Sequence, residues 1–168
     1  FCCLYTYFNI IGITMFNERK SIHQVEEGTE FAPKFDQNGL IVVTTVDVSN
    51  DQILMTGYMN KEALEKTIAT KEAYYFSRSH QSIWHKGATS GFVQKVREIL
   101  IDDDQDALYM RVEIPKNGAS CHVGYKSCFY RKIKLEDNQN NVELEDLGHK
   151  KVFDPKKVYG DAPNPTKL

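Results

Sequence analysis

Residues 101–131 read IDDDQDALYMRVEIPKNGASCHVGYKSCFYR and combine an alternating strand pattern with two kinds of metal ligand. Three carboxylates stand at alternate positions at its start: Asp102, Asp104 and Asp106. Two thiols follow, Cys121 and Cys128, and His122 is next to the first of them. Carboxylates suit hard ions such as Mg²⁺, whereas thiolates suit Zn²⁺. Because one short segment offers both carboxylate and thiolate ligands, we expect an enzyme.

The composition limits the class of protein. The chain has 168 residues, which is typical of one domain, and 41% hydrophobic residues, which is enough for a core. A formal net charge of −2 does not indicate a nucleic-acid or membrane-surface role. Four cysteines are too few to form the disulfide framework of a chain this long. We therefore expect reduced thiols and a cytoplasmic protein.

The first fourteen residues, FCCLYTYFNIIGIT, do not resemble a targeting segment. They lack the basic leading end and the small-residue cleavage site of a signal peptide. They are also shorter than the ~20 apolar residues that a membrane span needs. We interpret residues 1–14 as a non-native extension before a true start at Met15. Cys2 and Cys3 therefore play no part in the metal argument.

Hydrophobic patterning predicts an α+β fold with a mostly antiparallel sheet and one main helix. Asn60 is a suitable N-cap, and the apolar spacing after it predicts a helix as far as Thr70. Residues 15–38 are expected to be irregular, and residues 136–168 to form a polar surface tail after a domain that spans residues 15–135. Alternation and β-branched residues predict strands at 40–48, 53–59, 72–77, 92–101, 107–114 and 128–135.

Residues 77–91, SRSHQSIWHKGATSG, form a dense polar stretch. Its cations, its hydroxyl groups and the flexible Gly87 and Gly91 are what a phosphate-binding loop needs. An exposed hairpin loop with solvated charges explains the composition equally well. A single tryptophan such as Trp84 lies more often in a core than beside a ligand. Both interpretations of this stretch stay open at this point.

The three aspartates raise a geometric problem for a single ion. Residues two apart on a straight strand are separated by ~6.7 Å, so Asp102 and Asp106 would be ~13 Å apart. The segment must therefore curl, or the ion must keep waters, or one carboxylate must act indirectly. A calcium-binding EF-hand loop is excluded because Ala107 stands where that loop needs glycine and a strand follows. An acidic turn facing water is the simplest alternative.

The two thiols are separated by six residues, and this spacing alone is a weak zinc signal. A free cysteine is most often a small buried hydrophobic residue. The neighbouring His122 and the absence of a disulfide framework favour a metal site. In an extended segment Asp103 points away from Asp102 and Asp104, so it is placed to serve a different site.

Six stretches between Phe35 and Arg131 resemble the phosphoribosyl-AMP cyclohydrolase family of histidine biosynthesis: FDQNGL, MTGYMNKEAL, YYFSRS, WHKGATSG, DDDQDAL and GASCHVGYKSCFYR. The resemblance implies a homodimer in which Cys121 and Cys128 bind zinc. The family's third zinc ligand is a cysteine supplied by the other subunit, and this chain has Asp103 at that position. Carboxylates also bind Zn²⁺. The resemblance assigns the family's Mg²⁺ ligands to Asp102, Asp104 and Asp106.

The resemblance also implies a reaction. A zinc-activated water attacks C6 of the adenine in phosphoribosyl-AMP, and the N1–C6 bond opens. His122 is the expected proton carrier, with His85 as the alternative. Magnesium would offset phosphate charge or order its loop, and the sequence leaves both open. The expected phosphate contacts are Arg78, Ser79, Lys86, Thr89, Ser90 and Arg131.

Two other classes compete with this interpretation. A non-catalytic zinc-stabilised binding module would have a closed site with four ligands, and only two thiols and one uncertain carboxylate are offered here. A purine deaminase would be expected to show H-x-E with P-C-x-x-C, and the sequence has neither.

Overall fold

The computed structural model describes residues 15–135 and 141–166. The extension expected at residues 1–14 lies outside this range. The described residues form an α+β fold with mostly antiparallel pairing and few helices, which confirms the predicted class. Its elements in chain order are α1 Ile22–Glu27, β1 Ile41–Asp47, β2 Ile53–Met59, α2 Lys61–Thr70, β3 Tyr74–Ser77, β4 Ser82–His85, β5 Lys95–Ile101, β6 Ala107–Glu113, β7 Arg131–Ile133, β8 Leu144–Asp146 and α3 Pro155–Tyr159.

A four-stranded sheet in the order β2-β1-β6-β5 is the centre of the molecule. The β1–β2 and β5–β6 pairs are antiparallel, but β1 and β6 are parallel and are connected by residues 48–106. The alternation predicted for β6 is confirmed, because Leu108, Met110 and Val112 are buried. They pack with side chains of β1, β2, α2 and β3 in one core. Two small hairpins, β3–β4 and β7–β8, complete the pairing of these strands.

Helix α2 follows local sequence signals at both ends. The Asn60 side chain accepts a hydrogen bond from the Ala63 amide at 2.9 Å, as the predicted N-cap requires. Ala63, Leu64 and Thr67 are buried against the sheet. The helix ends where Lys71 adopts a left-handed conformation and donates its N–H to the Thr67 carbonyl at 2.9 Å. Both predicted ends of this helix are therefore confirmed.

Two predictions about secondary structure are wrong. Residues 15–38 are not wholly irregular, because Ser21 caps the short helix α1 by accepting from the Gln24 amide. The strand expected at 128–135 is reduced to β7. The Cys128 amide donates to the Leu54 carbonyl at 2.7 Å, and the Ser127 hydroxyl accepts from the Phe129 amide at 2.9 Å. These bonds hold the chain in a bend where a strand was expected.

The C-terminal segment folds back onto the domain. The Val152 amide donates to the Gly124 carbonyl at 2.7 Å, and the Phe153 ring packs 5.5 Å from that of Phe92. Gly124 has φ +103°, and a Cβ there would lie 2.4 Å from the Phe153 carbonyl oxygen. Only glycine permits this approach. Within residues 15–135 and 141–166, no helix has the length and apolar character needed to cross a membrane.

Candidate active site

A cavity of about 900 Å³ lies between the β3–β4 hairpin, the turns that follow β4, and the C-terminal segment. The polar stretch 77–91 contributes much of one wall, so it is more than a solvated loop. Gly87 has φ +91°, and a Cβ there would lie 2.3 Å from the Val93 amide nitrogen. This glycine therefore allows the chain to double back tightly along the cavity wall.

The cavity wall is cationic. Three basic side chains line it: Arg78, Lys86 and Lys156. Three histidines line it as well: His80, His85 and His122. Among the described residues, no aspartate or glutamate lines this cavity, although the chain as a whole is slightly acidic. A concave site with this charge attracts a small anionic molecule.

The two thiols meet at the edge of the cavity. The Ser120 amide donates to the Lys126 carbonyl at 3.0 Å and the Cys121 amide to the Tyr125 carbonyl at 3.1 Å, so the intervening residues form a closed loop. Cys121 is buried, whereas Cys128 is exposed and lines the cavity. We call residues 120–128 the thiol loop.

A hydrogen bond joins the two sulfur atoms. The Cys128 thiol donates a hydrogen bond to Cys121, which lowers the pKa of Cys121 and raises that of Cys128. Burial acts against the lower pKa of Cys121, and the nearby His122 and Lys86 support it. Two adjacent sulfurs of which one is readily a thiolate form a donor pair that fits a soft cation such as Zn²⁺.

Lys86 is held beside the thiol loop. Its ammonium group donates to the Ser120 carbonyl at 2.6 Å. Burial lowers the pKa of Lys86, and the charges of Cys128 and Cys121 act in the opposite direction. Lys86 is therefore close to the thiol end of the cavity.

The two candidate proton carriers differ in their surroundings. His122 lines the cavity beside Cys121. His85 also lines it, but its ring stacks on Tyr74 with centroids 4.5 Å apart, and its Nε2 lies 2.8 Å from a Glu72 carboxylate oxygen. The stacked ring and the carboxylate hold His85 in place, whereas His122 lies next to the thiol pair.

The three aspartates come together in a turn. One carboxylate oxygen from each of Asp102, Asp104 and Asp106 lies within 4.8 Å of the others. The Asp102 carboxylate accepts from the Asp106 amide at 2.9 Å and the Ala107 amide at 3.0 Å. Gln105 has φ +58°, so the chain curls here and does not continue as a strand. Carboxylate oxygens are the ligands that Mg²⁺ prefers, so the chemistry of this donor set fits Mg²⁺.

Lys34 is the cation nearest to this cluster in the described part of the chain. Its ammonium lies 3.7 Å from Asp104 and 3.4 Å from Asp106. None of the three aspartates lines the large cavity.

Other predicted site residues lie elsewhere. Thr89 and Ser90 line the cavity, but Ser79 and Arg131 do not. The Ser79 hydroxyl is 3.1 Å from Nδ1 of His80, and the Arg131 guanidinium lies 5.1 Å from the Tyr130 ring centroid. Asp103 is exposed and does not belong to the carboxylate cluster.

Sequence reasoning missed two parts of the site. Lys156 lines the cavity, but the polar pattern of residues 136–168 carries no signal that it returns there. Behind the thiol loop, buried Gln94 donates to the Ser120 hydroxyl at 3.0 Å and accepts from the Tyr75 hydroxyl at 2.7 Å. Gln94 lies within a predicted strand, and its local pattern does not indicate that its side chain binds Ser120 and Tyr75.

A cationic cavity with a thiol pair and an imidazole on its wall is typical of an enzyme that acts on a small anionic molecule. The family model for phosphoribosyl-AMP cyclohydrolase matches residues 55–130. A phosphoribosyl-AMP cyclohydrolase of Bradyrhizobium diazoefficiens is 49% identical over 137 residues, which cover 82% of this chain and 95% of the relative. One from Rhodopseudomonas palustris is 49% identical over 135 residues, 80% of this chain and 90% of the relative. The chain belongs to the phosphoribosyl-AMP cyclohydrolase family, which confirms the resemblance seen in the sequence.

Proposed function

We propose that this protein opens the adenine ring of phosphoribosyl-AMP by hydrolysis in the histidine pathway. Family membership supports the substrate. The observation that carries the proposal is the large cavity, whose described wall holds three basic side chains, three histidines and a thiol without any carboxylate. A substrate with two phosphate groups requires such a wall, because each phosphate monoester carries about −1.5 to −2 charges near neutral pH.

The thiol pair supports zinc dependence. Cys121 and Cys128 are already in contact through one hydrogen bond, and removing its proton leaves two sulfur ligands. Zinc bound there would supply Lewis-acid chemistry, which lowers the pKa of a coordinated water from 15.7 to about 7.

A third zinc ligand is proposed to come from Asp103 of a second copy. In the described part of one chain, the thiols are not part of a group of three clustered potential ligands. The exposed Asp103 is available to a partner subunit. Two thiols in one chain and an exposed Asp103 in another support a homodimer with a metal site shared between subunits.

The side chains around the thiols have separate tasks in this proposal. His122 takes a proton from the attacking water and returns it as the N1–C6 bond breaks. The water oxygen forms the new bond to C6, and N1 receives a proton as it leaves the ring. Arg78, Thr89 and Ser90 contact phosphate, and Lys86 favours negative charge near the thiols. Asp102, Asp104 and Asp106 would hold magnesium outside the cavity, where the ion would order their turn.

The activity is tested by incubating the purified protein with phosphoribosyl-AMP and following ultraviolet absorbance. We expect an absorbance change that a zinc chelator abolishes and added Zn²⁺ restores. No change with zinc and magnesium both supplied would defeat the proposed reaction. Measured release of ammonia would instead identify a deaminase.

The shared site is tested with D103A and C121A, and with D104A as the matched control in the same turn. We expect D103A to lose most of its zinc, whereas D104A keeps it. Mixing inactive D103A and C121A subunits should restore activity, because a mixed dimer contains one site with both native contributions. Full zinc stoichiometry in D103A, or no complementation on mixing, would remove Asp103 from the site.

A further inference from the structure

The C-terminal segment forms one side of the cavity. Residues of helix α3 and of the chain after it line the cavity together with the polar stretch: Pro155, Lys156, Tyr159, Gly160, Ala162 and Asn164 are among them. The wall of the proposed substrate site is therefore built from two parts of the chain that are far apart in sequence.

This segment is attached to both walls that carry the chemistry. The Val152 amide binds the Gly124 carbonyl of the thiol loop, and Phe153 packs on Phe92 just after the polar stretch. The Tyr159 ring lies 5.9 Å from that of Phe153. These contacts fix the start of α3 relative to the cavity.

The start of α3 is itself well ordered by hydrogen bonds. The Asp154 side chain accepts from the Lys156 amide at 3.0 Å, and the Asp154 carbonyl accepts from the Lys157 amide at 3.0 Å. The Gly160 amide donates to the Lys156 carbonyl at 2.9 Å. Lys156 lines the cavity, but its neighbour Lys157 does not.

The other basic residues of the site account for only one of the two substrate phosphates. Lys86 is bound to the Ser120 carbonyl beside the thiols, so it lies close to the reacting end of the cavity. Arg131 does not line the cavity. Arg78, whose guanidinium lies 4.1 Å from the Tyr58 ring centroid, lines the cavity and is assigned to one phosphate in the proposed function. The substrate has two phosphates.

We propose that the C-terminal segment is part of the substrate site and that Lys156 binds one of the two substrate phosphates. This inference rests on the proposed function for the identity of the ligand. Lys156 acts on binding and not on the chemical step, because a phosphate contact is present equally before and during the reaction. In the described chain, no carboxylate pairs with its ammonium within 4.0 Å.

The test compares K156M with K157M, which removes the same charge from the adjacent position outside the cavity. We expect K156M to raise KM about tenfold with kcat within about twofold of wild type, as for loss of a charge-assisted hydrogen bond. K157M should change neither constant. Equal melting temperatures of the two variants would show that both are folded.

Binding is also measured without relying on turnover. Trp84 is the chain's only tryptophan and lines the cavity, so its emission reports ligand binding. Stopped-flow mixing with phosphoribosyl-AMP should give a dissociation constant that is about tenfold weaker in K156M than in K157M. The inference is overturned if the two variants agree within twofold in this constant. If the wild-type protein binds phosphoribosyl-AMP but does not convert it, the proposed reaction is wrong. The comparison of dissociation constants between K156M and K157M still tests the role of Lys156.

Discussion

The ammonium of Lys126 lies 2.6 Å from a carboxylate oxygen of the buried Asp47. Lys126 belongs to the thiol loop, and Asp47 is the last residue of β1. The Ser49 amide and hydroxyl donate to the same carboxylate at 2.9 and 2.7 Å. This ion pair ties the loop that carries both thiols to the central sheet.

Replacing Asp47 with asparagine should destabilise the protein by about 1–3 kcal/mol at neutral pH, because the charged bond to Lys126 is lost. Urea unfolding of wild type and D47N measures this difference. E145Q is the control, since it breaks the exposed ion pair in which Nζ of Lys132 lies 3.2 Å from Oε2 of Glu145. The control should lose less than about 1 kcal/mol.

The same pair of proteins gives a pH test. Burial would raise the pKa of Asp47, but the hydrogen bonds from Lys126 and Ser49 lower it below the ordinary value of 3.8. A carboxyl group with a lower pKa in the folded state stabilises above its unfolded pKa, and this contribution is lost as the pH falls through the folded pKa. The stability difference between wild type and D47N should therefore hold from about pH 7 to about pH 5 and shrink below about pH 4. A difference that grows on acidification would contradict this.

Y75F should affect both stability and turnover. The Tyr75 hydroxyl is buried between the Thr45 hydroxyl and the Gln94 amide oxygen, each 2.7 Å away. Its removal leaves buried polar groups without a partner, at a cost of about 1–3 kcal/mol. Because Gln94 also binds Ser120, we expect kcat to fall with it. The half-buried Tyr109 supplies the control Y109F. Unchanged kcat in a destabilised Y75F would limit this network to a structural role.

Magnesium should stabilise the folded protein through the aspartate turn. At a Mg²⁺ concentration ten times the dissociation constant, the expected gain is about 1.4 kcal/mol, seen as a rise in Tm. D104N should abolish the rise, whereas D103N in the same turn should keep it. K34M should strengthen the response, because Lys34 lies within 4.0 Å of Asp104 and Asp106 and competes with the ion. An equal rise in D104N and wild type would show that magnesium binds elsewhere.

The sequence predicted best what short-range contacts determine. Helix α2 has its cap at Asn60 and its buried face within one stretch, so propensity and patterning were sufficient. Spacing also showed that Asp102 and Asp106 cannot reach one ion from a straight strand, and the turn at Gln105 provides the necessary curl. The position of that turn was not predicted, because a left-handed glutamine has no strong sequence signal.

Long-range contacts were beyond sequence reasoning. Six residues separate the two thiols in the sequence, and the closed loop through Lys126 and Tyr125 brings them together. The attachment of Phe153 to Phe92 and of Val152 to Gly124 joins segments whose local patterns are unrelated. Nothing in the local pattern around Lys156 could therefore place it in the cavity.

The parallel pairing of β1 with β6 has a consequence for biosynthesis. During translation, β1 and β2 are complete before β6, which is synthesised only after residues 48–106. Until then, the apolar β1 has an open edge that is able to pair with other nascent chains. Expression at lower temperature or with added chaperone should therefore raise the soluble yield. Refolding of the complete chain should be slow, because pairing β6 with β1 closes a long loop.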